Sequence, residues 1–282
     1  MFFTKKYKNL IKENNQMLKM ISSHYKENDE RFIELNKKYL KVSNHWFWNE
    51  YDKTGWEPQT YNTFKEFLTN DTTFVDIGAW VGMTAFYAAE LGSKRIYAVE
   101  ANPLSYELVK FNLSQNNFTM NAQVDQLCIT DKDYDTCNFG GNNGANTSSA
   151  SSMRGNDWQV DTLTLLTYLK NNKILDDKLF VKIDIEGAEG MILDDLNKLS
   201  QKDDLTVYLS IHPPFISNKE EIEQELLDIC FKYKQVLDSD LQPLTRERLR
   251  EMFISDEEYP TWGTKFGNFF EITLSNEEFN RG

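Results

Sequence analysis

The chain has 282 residues, of which 40% are hydrophobic and 27% charged, a composition that supports a packed core and excludes disorder throughout. Its net charge is −13, split so that residues 1–45 balance to +5 and residues 46–282 to −18. A body that acidic is a poor partner for nucleic acid, whose phosphates need cationic surface, and no apolar run approaches the roughly 18–20 residues that span a bilayer.

The length suits one α/β domain with an appendage. The start, Met1-Phe2-Phe3-Thr4-Lys5-Lys6, lacks the apolar stretch of a secretory signal, and Cys128, Cys137 and Cys230 are too few and scattered for a disulfide framework or zinc knuckle. A cytoplasmic location is the expectation.

Residues 4–43 contain neither Pro nor Gly. Tyr7, Ile11, Asn14, Leu18, Ile21, Tyr25, Asn28, Phe32, Leu35, Tyr39 and Val42 follow one another at alternating spacings of three and four. That period predicts an N-terminal coiled-coil helix over residues 1–45, ahead of a separate body over 46–282. Asn14 and Asn28 share a heptad position, as register-fixing residues do, so a homo-oligomer through this helix is expected. Its lysines read as the solvated face of that helix rather than as a site for a polyanion or anionic membrane. Residues 44–60, with Trp46, Trp48 and Trp56, read as an aromatic hinge into the body.

From residue 74 strand and helix patterns alternate. Strands are predicted at 74–78, 95–99, 122–129, 180–184 and 205–211, with 235–238 and 267–274 closing the sheet. Helices are predicted at 81–91, 103–115, 161–171, from about 187, and at 218–233. The Asn-, Gly- and Ser-rich stretch 138–157 reads as a loop. Repeated β-α-β order implies a mostly parallel sheet covered on both faces.

The strongest local signal is Asp76-Ile77-Gly78-Ala79-Trp80-Val81-Gly82, between a strand and a helix. Glycines there let a ligand approach the backbone at the carboxyl edge of the sheet. The stretch is neither the GxGxxG of dinucleotide folds nor a phosphate loop with its Lys-Ser/Thr. Glu100, at the tip of the next strand, can accept both hydroxyls of a ribose. The pair suits a cationic nucleoside better than a triphosphate.

These residues, with Tyr97-Ala98-Val99-Glu100-Ala101-Asn102-Pro103 and Lys182-Ile183-Asp184-Ile185-Glu186-Gly187-Ala188-Glu189, resemble the FkbM family of class I S-adenosylmethionine-dependent methyltransferases. The likeness covers about residues 56–275 and includes Trp56-Glu57-Pro58-Gln59-Thr60. It implies a Rossmann-like class I methyltransferase: a mostly parallel seven-stranded sheet flanked by helices, with S-adenosyl-L-methionine as cofactor. By the same resemblance Asp76, Gly78, Ala79 and Gly82 hold the cofactor's amino-acid part and sulfonium. Glu100 holds the ribose with Asn102 beside it, and Leu127 and Cys128 flank the adenine. Glu57 and Thr60 touch the methionine end, and Ser149, in the loop Thr147–Met153, lies near the cofactor. Gly78→Val is expected to abolish binding by filling the ligand's space.

Methyl transfer from a sulfonium is an in-line displacement governed by positioning. An alcohol acceptor also gives up its proton, so a base is sought at the carboxyl ends of the fourth and fifth strands. Asp184, which also reaches the cofactor, Glu186 and His212 are the candidates, His212 for its near-neutral titration. Asp184 with Glu186 or Glu189 is only a weak divalent-metal signal, and no metal residue is assigned. Ile211-His212-Pro213-Pro214-Phe215 resembles the Asn/Asp-Pro-Pro-Tyr/Phe motif of amino-directed nucleic-acid methyltransferases. Here His replaces the amine acceptor and the segment follows the fifth strand rather than the fourth. The expected activity is O-methylation of a sugar hydroxyl on a glycan or glycoconjugate. Its rivals are N- or carboxyl-methylation of a small molecule or protein, and a coiled-coil assembly protein whose body binds cofactor without turnover.

Overall fold

A computed structural model describes residues 31–116, 118, 121–139, 158–254 and 269–277. Its first elements are an antiparallel hairpin, β1 (Arg31–Leu35) and β2 (Lys38–Val42), not the end of a helix. Ile33, Leu35, Leu40 and Val42 turn inward while Phe32 and Tyr39 are exposed, an alternation of period two beneath the heptad pattern. Asn36 and Lys37, at φ 49° and 66°, make the two-residue turn whose twist suits a hairpin. The Asn36 side chain donates to Glu90 at 3.0 Å and Lys38 pairs with the same carboxylate at 3.3 Å. The coiled-coil expectation is corrected over residues 31–42, and its remainder lies outside the described residues. The hairpin's apolar face shares one hydrophobic cluster with Trp48, Phe64 and Phe86, so the packed body already includes Ile33–Val42.

The stretch expected as a hinge forms two helices, α1 (Phe47–Thr54) and α2 (Pro58–Phe67). The sheet then follows as β3 (Thr73–Ile77), β4 (Arg95–Glu100), β5 (Ala122–Gln126), β9 (Leu179–Ile183), β10 (Leu205–Ile211), β11 (Gln235–Leu237) and β12 (Phe270–Ser275). Its seven strands run in the order β11-β12-β10-β9-β3-β4-β5. β10, β9, β3, β4 and β5 are parallel, and β12 lies antiparallel between β10 and β11. Every residue of β3, β9, β10 and β12 is buried, as strands covered on both faces must be, whereas edge strand β5 is partly exposed.

One face carries α1, α2, α3 (Met83–Glu90) and α4 (Pro103–Gln115) over Phe74, Ile96, Phe180 and Tyr208. The other carries α5 (Leu165–Asn171), α6 (Leu193–Leu199), α7 (Lys219–Cys230) and α8 (Arg246–Ile254) over Val75, Val99, Val181 and Leu209. A smaller sheet, ordered β6-β8-β7, sits beyond β5 in the chain: β6 (Cys128–Ile129), β7 (Asp135–Phe139) and β8 (Trp158–Leu163). The strand expected over 122–129 therefore breaks at Leu127 and changes sheet. The helix expected over 161–171 starts only at Leu165, because Thr164 caps it by accepting from the Thr167 N–H while Asp161–Leu163 finish β8.

Strand order reverses between β3 and β9: β4 and β5 extend one way, β10 and β12 the other. Ligands of such sheets gather in the crevice at this switch point, beyond the carboxyl ends of the strands.

Candidate active site

The turn after β3 closes on its neighbours through the backbone. The Gly78 and Ala79 N–H groups both donate to the Val99 carbonyl, at 2.9 and 3.1 Å. The Trp80 N–H donates to one Glu100 carboxylate oxygen and the Asn102 N–H to the other, each at 2.8 Å. A carboxylate offers about four acceptor positions, so both oxygens keep capacity for ligand hydroxyls. Burial pushes Glu100 up to about 7, against the opposing pull of the Asn102 and Trp80 amides. Gly82, at φ +87°, opens α3, and a Cβ there would stand 2.8 Å from the Val109 side chain.

Beside this turn lies an open crevice lined by Gly78, Glu100, Leu127, Cys128, Phe139 and Ile185, among others. Its lining is mostly apolar and includes the Glu100 carboxylate, a polarity that fits a base joined to a ribose. Leu127 and Cys128, expected beside the adenine, both line this crevice. Asn102 follows Glu100 closely, and its side-chain oxygen caps α4 by accepting from the Leu104 N–H at 2.9 Å. Ser149 lies outside the described residues.

Beneath the turn sits a buried cation that the sequence reading passed over. Lys182 donates to the Gly78 carbonyl at 3.0 Å and stands 3.4 Å from carboxylate oxygens of both Asp76 and Asp184. Burial opposes its charge, but Asp184 and Asp76 outweigh that and raise its pKa. Asp76 is fully buried and its Oδ2 accepts from Thr84 at 2.6 Å, while its Oδ1 makes no hydrogen bond. That oxygen instead faces the Lys182 ammonium at 3.4 Å, so Asp76 belongs to the clamp beneath the turn. Register explains the cluster: Asp76 pairs with Lys182 and Lys182 with Tyr208, so all three project from the face under α2. Lys182→Met should cost about 3–5 kcal/mol, since it leaves two carboxylates without their counter-charge; a denaturant midpoint equal to wild type would contradict the clamp.

The block that follows β9 folds into a tight turn. Glu186 and Gly187 have φ 44° and 99°, and both oxygens of Glu189 accept from the Gly187 N–H, at 3.0 and 3.1 Å. Glu189 Oε1 also meets His212 Nδ1 at 2.8 Å, and His212 Nε2 stands 3.6 Å from Asp184 Oδ1. The imidazole lies parallel to the Phe215 ring and edge-on to Phe269. Pro213–Phe215 form a short turn after β10, so the Pro-Pro-Phe segment serves to fix this ring. Burial works against a charged imidazole, but Glu189, then Asp184 and Glu186, outweigh it and raise His212 to about 9. Burial would raise Asp184 as well; Lys182 and His212 overcome it and hold the carboxyl below its ordinary range. The structure therefore unites Asp184 with His212 and adds Glu189, which the sequence reading considered only as a metal candidate. Among the described residues no three His, Cys, Asp or Glu gather as metal ligands.

Glu57 opens α2 at φ 42° and accepts from the Thr60 hydroxyl at 2.7 Å. Thr60 Oγ1 lies 2.8 Å from the Tyr208 hydroxyl. With the Thr60 hydrogen on Glu57, Tyr208 donates to Thr60, which ties α2 to β10. Glu57 is raised well above the usual carboxylate range, by burial first and then by Glu271. Tyr208 and Glu271 were not legible as site residues, although Tyr208 alternates with Val207 and Leu209 as a polar-tipped residue in an apolar strand.

No curated protein matches the chain. Among solved structures, precorrin-6y C5,15-methyltransferase from Geobacter metallireducens shares 15% identity at TM-score 0.40, covering 78% of this chain and 87% of its own. The M. jannaschii tRNA m1G37 methyltransferase shares 12% at TM-score 0.42, and this chain spans 56% of its length. P. horikoshii TYW2 in complex with MeSAdo shares 10% at TM-score 0.39, over 89% of this chain and 71% of its own. The family model for the methyltransferase FkbM domain matches residues 76–234, from the Asp76 turn through His212. No helix among the described residues is long and apolar enough to cross a membrane. The chain belongs to the FkbM methyltransferase family, and it is a methyltransferase whose cofactor is S-adenosyl-L-methionine.

Proposed function

We propose that this methyltransferase transfers the methyl group to a hydroxyl, and that the hydroxyl belongs to a sugar of a glycan or glycoconjugate. The observation that carries the reading is the polar cluster at the carboxyl ends of β9 and β10, Asp184 paired with a His212 that Glu189 holds, next to a carboxylate-rimmed crevice. Glu100 would hold the ribose, Leu127 and Cys128 the base, and Asp76 with the Gly78–Gly82 turn the amino-acid tail. Glu57 and Thr60 would border that tail from α2. When bound, the cofactor supplies an electrophilic methyl carbon. The chain's task is to place the acceptor oxygen in line with it and to take the proton.

His212, raised to about 9, is cationic at neutral pH. It then positions Asp184 rather than removing the proton itself. His212→Gln should lower turnover about tenfold to a hundredfold, the worth of one charge-assisted hydrogen bond, while leaving cofactor affinity unchanged. Because folding raises this group's pKa, its contribution to stability is complete below about 6.5 and is lost as pH rises through about 9. The melting-temperature gap between wild type and His212→Gln should therefore close over that range. A gap independent of pH, or parallel loss of turnover and cofactor binding, would assign His212 to the fold alone.

The carboxyl groups of Glu57, Asp184 and Glu271, near one another and in excess of their counter-charges, favour one rival, a basic amine acceptor. Turnover of labelled cofactor against a panel of glycans, amines and carboxylic acids separates the readings: one added methyl on a glycan hydroxyl supports the first, methylation of amines alone replaces it.

A further inference from the structure

Glu271 lies on β12 opposite Ser210 of β10. Asp184 continues β9 one residue past Ile183, which pairs with Leu209. Asp184, Ser210 and Glu271 therefore form a row on one face of the sheet, one step nearer its carboxyl edge than Asp76, Lys182, Tyr208 and Thr273. The Glu271 residue is only 9% exposed. Among the described residues no other residue hydrogen-bonds its carboxyl group, whereas Glu57 is held by Thr60 and Glu189 by Gly187 and His212. Among the described residues its own backbone N–H is the donor it meets, and a carboxylate with about four acceptor positions then keeps capacity for a donor from a ligand.

We propose that Glu271 is the catalytic base of the reaction: its carboxylate, level with Asp184 at the carboxyl edge, accepts the proton of the acceptor hydroxyl. This rests on the hydroxyl reading above. In the step, the hydroxyl oxygen uses a lone pair to bond the methyl carbon, and the carbon–sulfur bonding pair returns to sulfur. The O–H bond breaks with its electrons kept by the new ether oxygen, and the proton ends on Glu271, which releases it to solvent before the next turnover.

The charged groups around Glu271 support the assignment. Burial, then Asp184, raises it to about 7, while His212 pulls the other way. Among the described residues, Glu57 at the start of α2 and the Tyr208 hydroxyl on β10 also face it. Asp184, below the ordinary carboxylate range, is too weak a base, and His212, about 9, is already protonated. A base serves best when it titrates near the working pH.

The test compares wild type, Glu271→Gln and Glu271→Asp on whichever acceptor of the panel is methylated. Glu271→Gln should lower kcat about 10²–10⁴-fold, keep the affinity for S-adenosylhomocysteine within about twofold, and remove the rise of kcat through neutral pH. Glu271→Asp should recover part of the loss. A kcat for Glu271→Gln within about threefold of wild type overturns the proposal, as does equal loss of kcat and cofactor affinity. If amines alone are methylated, the hydroxyl reading falls, and the same comparison on the amine still decides the role of Glu271. A measurement without acceptor completes the test. A carboxyl raised on folding loses stability as pH rises from about 4.5 to about 7. The melting temperature of Glu271→Gln relative to wild type should therefore climb between about pH 5 and pH 8, and a constant difference overturns the proposal.

Discussion

Gly78→Ala should lose about 3–5 kcal/mol of stability, seen as a fall in melting temperature of about 10 °C. Gly78 sits at φ +81°, and a Cβ built there would stand 1.9 Å from the Asp184 carbonyl oxygen and 3.0 Å from its carbonyl carbon. The left-handed backbone alone costs a side chain roughly 1–2 kcal/mol. The remainder comes from moving the tip of β9, whose Asp184 N–H is bonded to the Ile77 carbonyl at 3.0 Å. The sequence suggested that this glycine leaves room for the ligand; the structure shows that it leaves room for the neighbouring strand. Loss of cofactor affinity in the variant should follow from displacement of Asp184 and Lys182. A variant that melts within about 2 °C of wild type would contradict the close approach.

Glu100→Ala should weaken S-adenosylhomocysteine binding more than about a hundredfold. Two hydroxyls bonded to a carboxylate contribute roughly 1.5–3 kcal/mol each, and the Trp80 and Asn102 amides lose their acceptor as well. The affinity should also depend on pH. Glu100 is raised to about 7, and the ionised form is the better acceptor, so binding should tighten as pH rises from about 6 to about 8. Calorimetry across that range measures it, and Glu100→Gln should flatten the profile. A wild-type affinity that is level with pH would place the ribose elsewhere.

The parallel half of the fold was legible because its strands are short buried runs ended by functional punctuation. Val75-Asp76-Ile77-Gly78 and Val99-Glu100 each place a carboxylate where an apolar run stops; Glu100 lines the crevice and Asp76 is buried beneath the turn. The hairpin was not legible for a specific reason. Leu35 and Val42 satisfy a seven-residue spacing and a two-residue alternation at once, and the absence of Pro and Gly favoured the helical reading. The Asn36-Lys37 turn, lacking the glycine that usually marks such turns, was the missed signal.

Site chemistry that depends on register was hidden for a different reason. Lys182, Tyr208 and Glu271 are far apart in sequence and each resembles an ordinary residue of a buried strand. Only the pairing of β9 with β10 and of β10 with β12 brings them to one face. The protonation of His212 was similarly beyond a linear reading. Its partner Glu189 lies 23 positions away and reverses the near-neutral expectation for an isolated imidazole.

The reversal of strand order between β3 and β9 has a consequence for how such a protein diversifies. On the proposed reading, nucleoside-facing positions come mainly from the β3–β5 half, joined by Ile185 and Ala188, and acceptor-facing positions from β9, β10 and β12. On that reading the two halves are separable: the first would answer to the donor, while the second could be retuned toward new recipients. Chimeras that exchange only segments following residue 184 should inherit recipient preference from one parent and donor grip from the other.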